Sequence, residues 1–257
     1  VTSRDNVAMP DLLVEAVCCT VDECLEAEAN GADRIELCSA LVVGGLTPSL
    51  GTLIEARAAT RLPIVAMVRP REGGFCYSGR ELATMRRDAE LAVAHGADGI
   101  VFGILRSDGT VDSEHCAELV AIARTAAPRA GGRTVQTVFH RAFDEVPDPF
   151  AALETLIGLG VTRILTSGRQ PTAVAGAALL RQLAERAAGR IEILPGGGVR
   201  AANVAELLHV SGLSAVHLSD RAGLRALRAA AAAATASGAP AAAPGAPAAV
   251  SESTHDR

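Results

Sequence analysis

Short runs of β-branched and aliphatic residues alternate with longer stretches of helical period along most of the chain. Eight such runs read as strands: Leu12–Val17, Arg34–Leu37, Ile64–Arg69, Gly99–Leu105, Thr134–His140, Arg163–Thr166, Ile191–Leu194 and Ala215–Leu218. Between them the pattern predicts helices near Val21–Asn30, Leu50–Thr60, Glu81–His95, Ser113–Ala126, Pro149–Leu159, Val174–Ala188 and Ala201–His209. Several open on a polar cap, as Thr20 does before Val21, and several close on glycine. Four of those glycines, Gly31, Gly96, Gly160 and Gly212, each stand a few residues before a strand and recur at near-regular spacing, so every step is two βα units. That recurrence predicts an α/β fold, a closed TIM-type (β/α)8 barrel in one domain; a doubly wound open sheet gives no reason for it.

The barrel is expected over residues 11–236, after an N-terminal extension at 1–10. Its last element, Arg221–Ala236, is rich in alanine and arginine with only Leu224 and Leu227 as large apolar anchors, which reads as a thin eighth helix. Residues 237–257, dominated by Ala, Pro and Gly, bury too little to offset their ordering entropy and read as a disordered tail. The net charge of −5 is spread without long blocks, and the 24 basic residues are all arginine. No basic patch for nucleic acid or a membrane surface stands out, and the lack of lysine removes Schiff-base and P-loop chemistry. With no apolar leader and no long apolar span, the expected compartment is the cytoplasm, where the six cysteines stay as thiols.

Strand parity suggests which side chains enter the barrel. If Ile35, Leu37, Val216 and Leu218 face the helices, then Glu36, Cys38, His217 and Ser219 face inward. The same parity places Glu15, Arg69, His140 and Thr166 inside, near the carboxyl ends of their strands, where barrel sites assemble. Buried carboxylates, guanidinium and imidazoles must pair with each other, a metal or a ligand. Two readings are open: an interior plug, or a pocket in which Glu15, Glu36, Arg69 and His140 act on a small anionic or phosphorylated metabolite. The phosphate would sit on Thr166, Ser167 and Gly168 after strand six and Gly196, Gly197 and Gly198 after strand seven, with Arg71, His217 and Ser219 as further contacts. Cys18 and Cys19 end strand one and Cys38 ends strand two, so a soft ion such as Cu(I) between thiols is a third possibility, against cysteine as a small buried hydrophobe.

Gly31-Ala32-Asp33-Arg34-Ile35-Glu36-Leu37-Cys38, Gly44-Gly45-Leu46-Thr47-Pro48, Arg69-Pro70-Arg71, Phe139-His140-Arg141-Ala142-Phe143-Asp144, Leu165-Thr166-Ser167-Gly168 and Pro195-Gly196-Gly197-Gly198 together resemble the CutC family, from about Leu12 to Ser219. The resemblance implies a cytoplasmic copper homeostasis protein with a TIM-barrel fold, often a homodimer, with Cu(I) bound through cysteines. Residue by residue, the family's Glu-x-Cys at the end of strand one falls on Glu15-Ala16-Val17, so Val17 stands where the family has cysteine, while the second proposed ligand falls on Cys38. Cu(I) on Cys38 with Cys18 or Cys19 is therefore the first expectation. The alternative is a lyase- or isomerase-type barrel enzyme acting on a small anionic metabolite, with a divalent metal as a further option.

Overall fold

A computed structural model describes residues 12–126, 132 and 134–237, so the expected extension at 1–10 and residues 238–257 of the expected tail lie outside the described residues. The strands are β1 (Leu13–Cys18), β2 (Arg34–Leu37), β3 (Ile64–Met67), β4 (Gly99–Phe102), β5 (Gln136–Phe139), β6 (Arg163–Thr166), β7 (Glu192–Pro195) and β8 (Ala215–Leu218). All pair in parallel in the order β7-β6-β5-β4-β3-β2-β1-β8. Each strand thus lies beside its neighbour in the chain, and the sheet nearly closes, with β8 beside β1 and a single bridge, Gly196 to His217, spanning toward β7. This is the (β/α)8 barrel that the glycine recurrence predicts, not a doubly wound sheet.

The helices are α1 (Val21–Ala29), α2 (Leu50–Ala59), α3 (Gly79–Ala94), α4 (Ser113–Thr125), α5 (Pro149–Leu159), α6 (Ala177–Ala187), α7 (Val204–Ser211) and α8 (Leu224–Ser237). Their starts are written in side-chain oxygens. Thr20, Ser49, Ser78, Asp112 and Asp148 each accept an orphan N–H of the first turn, and Ser78 with Glu81 completes a capping box. Gly31, Gly96, Gly160 and Gly212 all adopt positive φ, which reverses the chain from helix toward strand without the penalty a Cβ would bring.

Strands β3 and β4 are shorter than the pattern predicts. Arg69 leaves the sheet because its N–H bonds Thr47 Oγ1 and its carbonyl accepts from Thr47 N, and Leu105 turns away to bridge Val111. Two apolar layers result. Ile35, Leu37, Ile100, Phe139, Ile164 and Val216 pack between sheet and helices, while Val17, Cys38, Val65, Met67, Val101, Val138, Leu165 and Leu194 fill the barrel interior.

Candidate functional site

The barrel floor is ionic. Arg34, Gln136, Arg163 and Glu192 are the first residues of β2, β5, β6 and β7, and all reach one another or Glu15. Glu15, with no exposed surface, accepts from Arg34 Nε at 2.5 Å and from Arg163 Nη1 at 3.3 Å, and its other oxygen meets His217 Nδ1 at 2.9 Å. Glu192 takes the outer faces of the same two guanidiniums. Burial alone would raise the Glu15 pKa, but the His217 hydrogen bond and the Arg34 and Arg163 charges outweigh it and hold the carboxyl far below the usual range. Glu15 therefore lies deeper than the strand ends where sequence parity set it. It belongs to a plug of which the sequence reading names His217 but misses Arg34, Gln136, Arg163 and Glu192, although the parity that turns Glu36 inward also turns Arg34 inward.

Above this plug opens a cavity of about 720 Å³ at the carboxyl ends of the strands, within the range of small-molecule sites. Glu36, Arg69, His140 and His217 line it, with Arg141, Asp144, Gly197, Gly198, Arg200 and Ser219 toward its rim. Burial pushes the Glu36 carboxyl up to about 7, with only partial relief from His217, and its Oε2 has no partner among the described residues. His140 Nδ1 accepts from Ala142 N at 3.1 Å, which leaves the proton of the neutral ring on Nε2, and that atom is also buried without a partner. Burial and then the Arg69 charge push the His140 pKa down to about 3, so the ring is neutral near pH 7. For His217 the sign reverses. Burial opposes protonation, but the Glu36 charge and the Glu15 hydrogen bond and charge prevail and raise its pKa.

The arginines of the long loop after β3 are already engaged. Arg69 donates to the carbonyls of Val43, Gly45 and Gly73 and packs 5.1 Å from the Phe75 ring centroid, tying together the loops after β2 and β3. Arg71 holds Glu81 and the carbonyls of Glu72, Gly74 and Cys76, so it braces its own loop and does not line the cavity.

The expected anion loop after β6 is occupied from within. Leu165 takes the interior position, so Thr166 points outward, contrary to the parity drawn from sequence, because Ile164 and Leu165 are equally aliphatic and only the charge of Arg163 marks the inner face. Thr166 Oγ1 and the N–H groups of Ser167 and Arg169 all donate to the carboxylate of Asp144, which Arg141 also grips. The N–H groups expected to receive a phosphate at Ser167 and its loop thus hold a side-chain anion, and Gly168 N turns back to Thr166 Oγ1. After β7, Gly196 N is spent on Thr166 O, while Gly197 and Gly198, at positive φ, stay at the cavity rim.

The cysteines divide by parity. Cys18 ends β1 on its outer face, in the helix-side layer, with its thiol against Cys24 and the Glu23 carbonyl. Cys19 continues the inner face of Glu15 and Val17, and the offset of β1 against β2, Glu15 to Arg34 through Cys18 to Leu37, brings it opposite Cys38. The two sulfurs stand 3.7 Å apart, Cys38 fully buried and Cys19 half-buried. Glu23 fixes this corner: one carboxylate oxygen accepts from Cys19 N at 2.5 Å and the other from Arg221. Glu15, Glu36 and His217 also bring one ligand atom each within 4.8 Å of the others. Both Glu15 oxygens are already taken and two guanidiniums flank them, so this trio fits a divalent cation poorly.

A (β/α)8 barrel with an ionic floor, a deep polar cavity and a thiol pair at its mouth defines a class of barrel proteins with a site at the carboxyl ends of the strands. Within that class, the CutC family model matches residues 12–222, and the chain belongs to that family. It is 47% identical over 211 residues to the family protein CutC of Treponema denticola, covering 82% of each chain. It is 46% identical to the human copper homeostasis protein cutC homolog, over 81% of this chain and 73% of that one. A crystal structure from Streptococcus agalactiae, of a protein provisionally named copper homeostasis protein CutC, matches with a TM-score of 0.73 at 32% identity, over 80% of this chain and 97% of that one.

Proposed function

We propose that this member of the copper homeostasis family handles copper directly, holding Cu(I) between Cys19 and Cys38. The observation that carries this is the 3.7 Å separation of the two sulfurs at the barrel mouth. Two soft donors at that spacing suit a monovalent soft ion, which needs few ligands and bonds thiolate strongly. Half-exposure of Cys19 leaves a way in, while full burial of Cys38 shields the ion from oxidants. The valine at the family's usual cysteine position is no obstacle, because Cys19 lies on the same strand face two residues further on. Cys18 takes no part. Copper is cargo in this reading, bound and released without chemistry on the protein.

Anaerobic competition of the reduced protein against a chromophoric Cu(I) chelator tests it. Stoichiometric binding is expected in the native chain and in Cys18→Ser, and loss of it in both Cys19→Ser and Cys38→Ser. Undiminished binding by Cys38→Ser would overturn the assignment.

A further inference from the structure

The copper pair leaves the cavity beside it unexplained. Neither Cys19 nor Cys38 lines that cavity, whereas Glu36, Arg69 and His140 do, each more than nine-tenths buried. Three of their polar atoms, Glu36 Oε2, Arg69 Nε and His140 Nε2, are buried with no hydrogen-bond partner among the described residues. An orphaned buried donor or acceptor is costly, and such atoms recur where a ligand completes them. Arg69 adds a buried positive charge with no carboxylate partner among the described residues, since its guanidinium donates to three carbonyls. Arg69 and His140 pack on the same ring: the Phe75 centroid lies 5.1 Å from the guanidinium carbon and 4.9 Å from the imidazole centroid. The cavity wall therefore presents, side by side, an uncompensated cation and a neutral N–H donor, with a carboxyl acceptor elsewhere in the same wall. At the rim Arg200 likewise has no carboxylate partner among the described residues, and the exposed Glu145 has no cation partner among them.

We propose that this cavity binds a small anion carrying hydroxyl groups, its charged oxygens against Arg69 and His140 Nε2–H and a hydroxyl donating to Glu36 Oε2. An oxyanion neutralises the buried guanidinium and accepts from the imidazole, and one hydroxyl satisfies the free carboxyl oxygen, so a single ligand of this class completes all three groups. A plain alkyl carboxylate leaves Glu36 unsatisfied, and a neutral polyol leaves Arg69 uncompensated. The charged end can be carboxylate or phosphate, since both offer the same acceptor oxygens. This site shares no side chain with the thiol pair, so the copper titration neither supports nor overturns it.

The full-length protein is titrated at constant ionic strength with glycerate, with glycerol monophosphate, with propionate and with glycerol, while the His140 ring-nitrogen NMR signal is followed. Saturable shifts with glycerate or glycerol monophosphate are expected, and whichever binds more tightly identifies the charged end. Propionate and glycerol are expected to bind at least about tenfold more weakly, the value of one charge-assisted hydrogen bond. His140→Phe, followed by calorimetry, keeps a ring against Phe75 while deleting the donor and is expected to weaken binding by a similar factor. No shift up to millimolar glycerate and glycerol monophosphate, or equal shifts with all four compounds, would overturn the proposal. The wild-type arms decide the matter even if the variant fails to fold.

Discussion

Glu15 is the residue on which the barrel floor turns. With its two oxygens shared among Arg34, Arg163 and His217, its replacement by glutamine keeps the shape and removes the charge. Among the described residues Glu192 then remains the sole carboxylate paired with the two buried guanidiniums. Breaking a buried pair in this way typically costs about 3–5 kcal/mol, so Glu15→Gln is expected to lower the urea midpoint strongly, whereas Arg181→Ala, which loses only an exposed pair with Glu185, is expected to leave it nearly unchanged. His140 offers a pH test. Its folded pKa, pushed from 6.5 to about 3, lies below the unfolded value, so the unfolded chain takes up this proton first. The stability tied to the neutral ring is complete above pH 6.5 and is lost as pH falls toward 3, by at most about 1.4 kcal/mol per pH unit. Urea midpoints measured from pH 7 downward should therefore fall less steeply in His140→Phe than in the native chain, and parallel slopes would refute the buried neutral imidazole. At this scale the sequence was only partly legible. Alternation puts Glu36, Cys38, His140 and His217 inside but cannot rank depth, which is why Glu15 reads as a mouth residue and the arginines at the strand starts do not stand out. Nor could it show that Asp144, a few residues past the end of its own strand, reaches across to fill the loop after β6.

Elements were more legible than residues, because caps and reversals are written locally. Thr20, Ser49, Ser78, Asp112 and Asp148 mark helix starts within a few residues whatever the tertiary fold, and the positive-φ glycines mark the ends. The start of α6 departs from the pattern: Val174 continues the helical period, yet Ala177 begins the helix. The reason is a close crossing that no local signal encodes. A Cβ on Gly176 would stand 1.9 Å from the Ser167 carbonyl oxygen and 2.9 Å from Gly168 Cα, so the backbone after β6 runs directly against the entry to α6. Gly158, near the end of α5, is the opposite case, with no atom within 4 Å of such a Cβ and ordinary helical φ. Gly158→Ala is expected to stabilise the protein by roughly 0.5 kcal/mol through helix propensity and a smaller unfolded ensemble. Gly176→Ala must push these backbone segments apart and is expected to destabilise by about 1–3 kcal/mol. Equilibrium urea denaturation of the two variants decides the signs; a neutral Gly176→Ala would show that the crossing is loose.

For the molecule as a whole the question is how a sheet with few apolar anchors in its last unit closes into a barrel. Helix α8 buries only Leu224, Leu227 and Ala231 among its described side chains, as its sequence suggests, but arginines make up for that. Arg221 reaches Glu23, Glu26 and the Val17 carbonyl, Arg225 the Ala29 carbonyl, and Arg228 Asp33 with the Leu12 and Gly31 carbonyls, so the last βα unit is laced onto the first. That lacing fastens β8 to β1. The opposite side of β8 is less well held, and Pro195 removes one of the rungs that would hold it. Gly196 N donates to Thr166 on β6, so by alternation the preceding N–H would face β8, but residue 195 is proline and has none. Among the described residues only the bridge from Gly196 to His217 crosses, and at the lower end of the same seam a cleft of about 400 Å³ opens between Glu192, Ile193 and Leu213–Ala215. The barrel is therefore expected to breathe along β7 and β8. In hydrogen exchange read by mass spectrometry, peptides covering β7 and the β7-facing amides of β8 should exchange faster than those of β1 and β2, whose pairing is continuous from Glu15–Arg34 to Cys18–Leu37. Because His217 stands at that bridge and also at the cavity wall, a ligand filling the cavity is expected to slow exchange at the seam. Equal exchange on both sides of β8 would mean that water does not reach the seam and that the barrel is closed all round.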